Sequence, residues 1–449
     1  MKSYRETNSH QASKAWDNHL VSTNRRKKYA RVKHFRRYGS LGKGKSFSRA
    51  ESEKVLDYIE LMNPGYRSRR RLSRNHQIVL PEKFCFISNP NGAIKAIVNI
   101  VKSYRDDRVK HITLNHSQVS EFSLTSEVLL GLGVNRARLL LRRGRKIKKR
   151  VSGYFPLDPD HKQLLMEMGV VKEIEAKTKS GAPFSREKQH LFAKHSINFS
   201  SANAYSVDDH SLAAEAFVKH VNECVQDFEK SLSEDAETEL LRCVGEVLDN
   251  AQRHSSKKKN DYSWFIRGYL NSHSDNKDFE LSIFNFGRTI AESFEDLPTG
   301  HFSLNLVNDY VELHKNRFTR EQLITVAALQ QRYSCRNQTS RDTNGQGTIL
   351  LIEFFQELYK EFHALQGETE EQNNHRMSVV SGATHIYFDG TYKLRDLHED
   401  SDDEQMIIAF NNQNTLKLPP DSSSVRRMKD CFFPGVAISI RFPLKKRSS

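Results

Sequence analysis

No stretch of this 449-residue sequence reaches the ~18 consecutive apolar residues of a membrane-crossing helix, and its first residues lack the apolar core of a secretory signal. A spanning helix is thereby excluded, no membrane partner is expected, and the cytoplasm is the expected location. The five cysteines, Cys85, Cys224, Cys243, Cys335 and Cys431, are odd in number, scattered, and form no CxxC pair. That pattern argues against a disulfide framework or a zinc site and for reduced thiols. The histidines form no HExxH, so that zinc-hydrolase motif is absent too.

Acidic residues are what the first 80 positions lack: 20 Lys or Arg stand there against 6 Asp or Glu, so nearly all of the +15 net charge is N-terminal. A second block, Arg136 to Arg150, has nine basic residues and no acid. Residues 1–80 and 136–150 could therefore hold nucleic acid or another polyanion, or present a face to an acidic protein. Aromatic residues in the arm are few (Tyr29, Phe35, Tyr38), and no nucleic-acid fold signature is visible. The segment Gly39 to Ser46, GSLGKGKS, fits the phosphate-loop spacing. The charged residues before it cannot form the buried strand which that loop needs, and a chance match in a Gly/Lys/Ser-rich arm is the reading adopted.

At this length, more than one domain is expected. Residues 1–76 read as a basic arm ending in a short helix, Ser48 to Met62. From residue 77 strands and helices alternate: Ile78 to Leu80, Lys83 to Ser88 and Ile112 to Ser117 as strands, Gly92 to Tyr104 and Leu124 to Leu132 as helices. The α/β module so outlined, 77–176, includes a basic hinge. Its stretch ITLNHSQVSEFSLTSEVLLGL resembles the strand-loop-helix of STAS-type domains, the modules of anti-sigma-factor antagonists. The resemblance makes Thr125 and Ser126 the phosphorylation candidates. The Asp that precedes the family's serine is missing, which favours scaffolding or docking, and helix capping explains both residues equally well. Residues 177–211, polar and punctuated by Gly and Pro, read as a linker.

In 212–449 one helix stands out. From Glu239 to Ser256 the apolar residues Leu240, Leu241, Val244, Val247, Leu248 and Ala251 share a face, while Glu246, Asn250 and His254 stack beside it, four apart. Strands Trp264 to Leu270 and Phe279 to Gly287 follow, the second ending Asn285-Phe286-Gly287. Some fifty mixed residues then read as a lid, closing on Asn344-Gly345-Gln346-Gly347-Thr348 before an apolar helix. Amides freed at a glycine-rich helix start can hold phosphate.

In order and spacing these pieces resemble the GHKL ATPase family, the Bergerat fold. GEVLDNAQRHSS is similar to its Glu-x-x-x-Asn-Ala box, SIFNFG to its Asp-x-Gly box, and NGQGT to its glycine box. Met377 to Gly390 and Phe433 to Leu444 are similar to its last hairpin. The resemblance spans about 212 to 445 and implies an α/β (α+β) chain: a STAS-like module followed by a Bergerat-fold sandwich. It implies that Asn250 ligates Mg2+, Glu246 is the general base, Gly345, Gly347 and Thr348 cradle phosphates, and Asn285 and Gly287 receive the base. Arg336 or Arg341 would neutralise a terminal phosphate, or be solvated. Asn285 stands where the family has Asp, and Val436 where it has Thr, so the preference for adenine stays open.

The function implied is that of a bacterial-type regulator that binds ATP with Mg2+ and hydrolyses it, lid closure controlling a protein partner. Two alternatives stand beside it: an anti-sigma-type serine/threonine kinase, and a non-enzymatic nucleic-acid-binding or scaffold protein. A homodimer is left open.

Overall fold

The computed structural model describes residues 49–66, 72–144, 149–175, 191–198, 209–226, 231–255, 261–270, 278–330, 349–350, 352–356, 375–396 and 406–443. The chain is mixed α/β, with parallel and antiparallel sheets. Most of the basic arm and its Gly39–Ser46 motif lie outside the described residues.

The N-terminal layer follows the expected alternation, with shifted bounds. Helix α1 (Arg49–Leu61) is followed by strand β1 (Asn75–Val79) and the two-residue β2 (Lys83–Phe84). The strand expected to Ser88 stops early because residues 86–88 turn to carry Phe86 and Ile87 inward, and the Asn89 amide closes the turn on the Cys85 carbonyl at 2.9 Å. Asn89 then caps α2 (Pro90–Arg105), its Oδ1 accepting from the Gly92 amide at 3.1 Å, with proline at the first helical position where no amide is needed. Strands β3 (His111–Asn115) and β4 (Glu121–Phe122) lead to helix α3 (Leu124–Gly144), and β5 (Arg150–Tyr154), α4 (Pro159–Glu167) and α5 (Val170–Glu175) complete the layer. Strands β1, β3 and β5 form a parallel sheet in the order β1-β3-β5. The basic hinge is thus in part a helix: α3 runs through its first nine residues, and Arg136 is buried.

Seven of the remaining strands build one antiparallel sheet, while β2 pairs with β4 in a two-stranded sheet of its own. Strand β6 (Leu191–Asn198) lies inside the stretch read as a linker, and its edge position explains the weak apolar signal. Helices α6 (Asp209–Gln226) and α7 (Glu234–His254) precede β7 (Tyr262–Leu270) and β8 (Asp278–Phe286). Helices α8 (Ile290–Glu295), α9 (Phe302–His314) and α10 (Arg320–Ala327) occupy most of the expected lid. Leu323, Ile324 and Val326 are fully buried, so this part is core rather than cover; 331–348 lies outside the described residues. Helical residues 349–350 and 352–356 match the apolar helix expected there. Met377 to Gly390, read as one arm of a hairpin, is itself a hairpin of β9 (Arg376–Gly382) and β10 (Thr384–Phe388). Short β11 (Arg395–Asp396), β12 (Met406–Ile407) and β13 (Val425–Arg427) follow, then β14 (Phe433–Pro443). Of these, β11 and β12 pair in a two-stranded sheet of their own. Strand order is β13-β10-β9-β14-β8-β7-β6, which places the last strand at the centre.

Both faces of this sheet are covered. All nine residues of β7 are buried, and their alternation splits them between two cores. Trp264, Ile266, Leu281, Ile283, Val379 and Ile438 pack with Phe217, Val221, Val244 and Leu248 of α6 and α7. The other face, Phe265, Phe284, Phe286, Val380, Phe433 and Ala437, shares a core with Val55, Ile59, Phe84, Phe86 and Leu129 of the N-terminal layer. An antiparallel sheet ordinarily leaves one face to water; here the α/β layer takes that place. Paired polar groups fix the seam. The Leu124 amide donates to Glu280 Oε2 at 2.7 Å, Thr125 Oγ1 meets Ser282 Oγ at 2.8 Å and Ser439 Oγ at 2.6 Å, and Ser378 Oγ donates to the Phe86 carbonyl at 3.2 Å. Arg441 pairs with Glu280 at 2.9 Å and donates to the Phe122 carbonyl. Thr125 and Ser126 therefore lie buried at the docked start of α3, not on an accessible phosphoacceptor loop.

Candidate functional site

Helix α7 starts at Ser233, whose side chain accepts from the Ala236 amide at 3.2 Å, and its first turn carries Glu234, Asp235 and Glu237 against the positive helix end. Leu240, Val244, Val247, Leu248 and Ala251 enter the core on the helix-covered side of the sheet. Glu246 and Asn250 are half-buried along the flank, as their spacing predicts. Cys243, one turn before Glu246, is buried. Its thiol is pushed up to about 12, by burial first, with nearby carboxylates including Glu246 adding to the effect.

The helix and the end of β8 are tied through one carbonyl. Ser255 O, just past α7, accepts from the Arg288 amide at 2.8 Å. Gly287, with φ +143°, sits so close that a Cβ would lie 1.6 Å from the same oxygen. This is why the strand must end in glycine. A second glycine lies opposite Phe286 across the ladder: Gly435, φ +129°, brings β14 so near that a Cβ would stand 2.0 Å from the Asn285 carbonyl. Asn285 pairs with Val436 in register and is 5% exposed. By alternation it continues the row Phe279, Leu281, Ile283 that packs in the α7 core. Asn285 and the polar stripe of α7 thus belong to the same layer.

Around this point the backbone is firmly held. Ser381 Oγ donates to the Gly435 carbonyl and accepts from the Ile290 amide, both at 2.9 Å. Thr289 and Glu292 form a capping box on α8. Ser255 Oγ, in a residue 2% exposed, has no hydrogen-bond partner among the described residues.

Comparison with protein-family models, with curated proteins and with solved structures finds no match.

Of the residues named from the sequence, Asn285 and Gly287 lie at the end of β8, which Ser255 ties to the end of α7, while Glu246 and Asn250 stand about two turns and one turn before that end on the flank of the helix. Gly345, Gly347 and Thr348 lie outside the described residues, as do Arg336 and Arg341. Ile349 and Ile352, helical residues, are buried in the same core. Sequence reading missed Ser255 and Ser381, whose roles depend on a carbonyl and on partners 54 and 91 positions away. Nothing local marks them. No group of three or more His, Cys, Asp or Glu suited to a metal ion occurs among the described residues. Magnesium takes one or two protein oxygens and completes its shell with water and phosphate, and the Asn250 side-chain carbonyl suits that chemistry.

Proposed function

We propose that this chain is a nucleotide-dependent regulatory protein of the GHKL type, binding ATP with Mg2+ beside α7 and coupling that event to a protein partner through its N-terminal layer. The observation that carries the reading is the joint at Ser255, whose carbonyl ties the end of α7 to the end of β8, with Asn285 beside it between the close backbone approaches of Gly287 and Gly435. Asn250 would offer its oxygen to magnesium bridging the phosphates, and Glu246 would take a proton from an attacking water. The amide of Asn285 can accept from or donate to a base, so adenine and guanine are both to be tried.

Coupling follows from alternation. Asn285 belongs to the helix side of the sheet, whereas its neighbour Phe286 stacks on Tyr58 of α1 with centroids 5.7 Å apart and rings 7° from parallel. Displacement of the strand end by a nucleotide would press on α1. A kinase that modifies its own module is disfavoured by the burial of Thr125 and Ser126.

Calorimetry with Mg2+ and ATP or GTP, on wild type and Asn250→Ala, tests the reading. Wild type is expected to bind one of them and the variant to lose it at least tenfold; no heat with either nucleotide at millimolar concentration sinks the proposal. Glu246→Ala is expected to keep binding and lose hydrolysis.

A further inference from the structure

Among the described residues, the parallel sheet β1-β3-β5 is covered on one side only. Ile78, Ile112 and Leu114 are buried, but the alternate residues form three aligned rows that are exposed or half-buried: Asn75–His111–Arg150, Gln77–Thr113–Ser152 and Val79–Asn115–Tyr154. Parallel sheets are normally covered on both faces. The rows contain no acid. They carry an arginine, a histidine, and amides and hydroxyls able both to donate and to accept; His111 Nε2 and Ser152 Oγ lie 2.7 Å apart. Tyr154 closes the last row at 58% exposed, and Phe155 beside it is 45% exposed under Lys162, whose ammonium is 5.3 Å from the ring centroid. At the other end, Asp106 is engaged by Arg108 at 2.9 Å and by Lys149 through its carbonyl. Lys110 and Arg74 flank the rows, and the block Arg136 to Arg150 runs directly into β5.

We infer that this open face docks single-stranded RNA. Three strands about 4.8 Å apart give a flat platform, suited to splayed bases and unsuited to a duplex groove, which needs a protruding element. The aromatic pair at one edge supplies a stacking surface, the basic residues meet phosphates, and the Gln, Thr, Asn and Ser side chains can address 2′-hydroxyls. Charge argues against the chain's own arm as occupant, since residues 1–48 carry 13 Lys or Arg against 2 acids, the same sign as the face.

The test is fluorescence anisotropy of the full chain with a labelled 20-nucleotide oligo(U) at low salt. Saturable binding with a Kd of about 10 μM or tighter, weakening with salt, is expected. Tyr154→Ala and Arg150→Glu, both on exposed side chains, should each weaken it roughly fivefold or more with unchanged melting temperature, and Ser152→Glu likewise. Lys315→Glu, at the exposed C-cap of α9, should change nothing. Absence of saturation at about 100 μM, or face variants within twofold of wild type, overturns the inference. Equal affinity for oligo(dT) of the same length overturns the choice of RNA, and tighter binding of a duplex, heparin or an acidic peptide overturns the single-stranded platform.

Discussion

Glu127 shows how much a single side chain can be asked to hold. It is wholly buried in α3, with His161 Nε2 at 2.8 Å and His116 Nε2 at 3.5 Å from the same oxygen. Burial alone would raise its pKa, yet the charge and hydrogen bonds of the two histidines outweigh it and hold the carboxyl at about 2. Because the folded value is depressed, this stabilisation is present above the unfolded value, near 4.5, and is lost as pH falls toward 2. Glu127→Ala strands two buried imidazoles and is expected to cost about 3–5 kcal/mol in chemical denaturation at pH 7. At the seam, Thr125→Val leaves the Ser282 and Ser439 hydroxyls short of a partner and should cost about 1–3 kcal/mol by the same measurement.

Among the elements, β8 and β14 bear the site through their ends. Gly287→Ala or Gly435→Ala drives a methyl into the backbone oxygen of Ser255 or Asn285 and imposes an unfavourable φ. Each is expected to lower the melting temperature and abolish nucleotide binding together. Tyr58→Ala removes the ring beneath Phe286 on the opposite side, and is expected to shift nucleotide affinity several-fold in calorimetry without touching a ligand-facing side chain. Intact affinity in that variant would break the proposed link between site and N-terminal layer. The polar stripe of α7 and the glycine after Asn285 were legible because both are local signals, a helical period and a strand-end glycine. Strand β6 was not, since as an edge strand it mixes exposed and buried positions, and α8 to α10 passed for a lid because capping boxes at Thr289 and Thr319 read as polar loop.

For the whole molecule, the seam is the decisive surface. Two domains and a linker are what composition suggests; a sheet with apolar residues on both faces is what the alternation in β7 and β8 encodes, and only the partner layer reveals why. Residues 205–449 alone would expose Phe265, Phe284, Phe286 and Phe433, and are expected to aggregate unless 49–175 is supplied in the same cell. Acid should loosen the assembly early. His385, whose Nε2 lies 3.0 Å from the Ile87 carbonyl, and His195 are both held down at about 3, by burial first. The folded state refuses protons that the unfolded chain takes up below about 6.5, so each costs about 1.4 kcal/mol by pH 5.5. Melting temperature is expected to fall steadily from pH 7 to 5, and His385→Gln to flatten that slope.

The placement of β14 sets a constraint on synthesis. Last of the strands in chain order, it is the one that joins β13-β10-β9 to β8-β7-β6. Until residues 433–443 have emerged from the ribosome, β9 and β8 each present an unpaired edge, so the two half-sheets can join only once that strand is made.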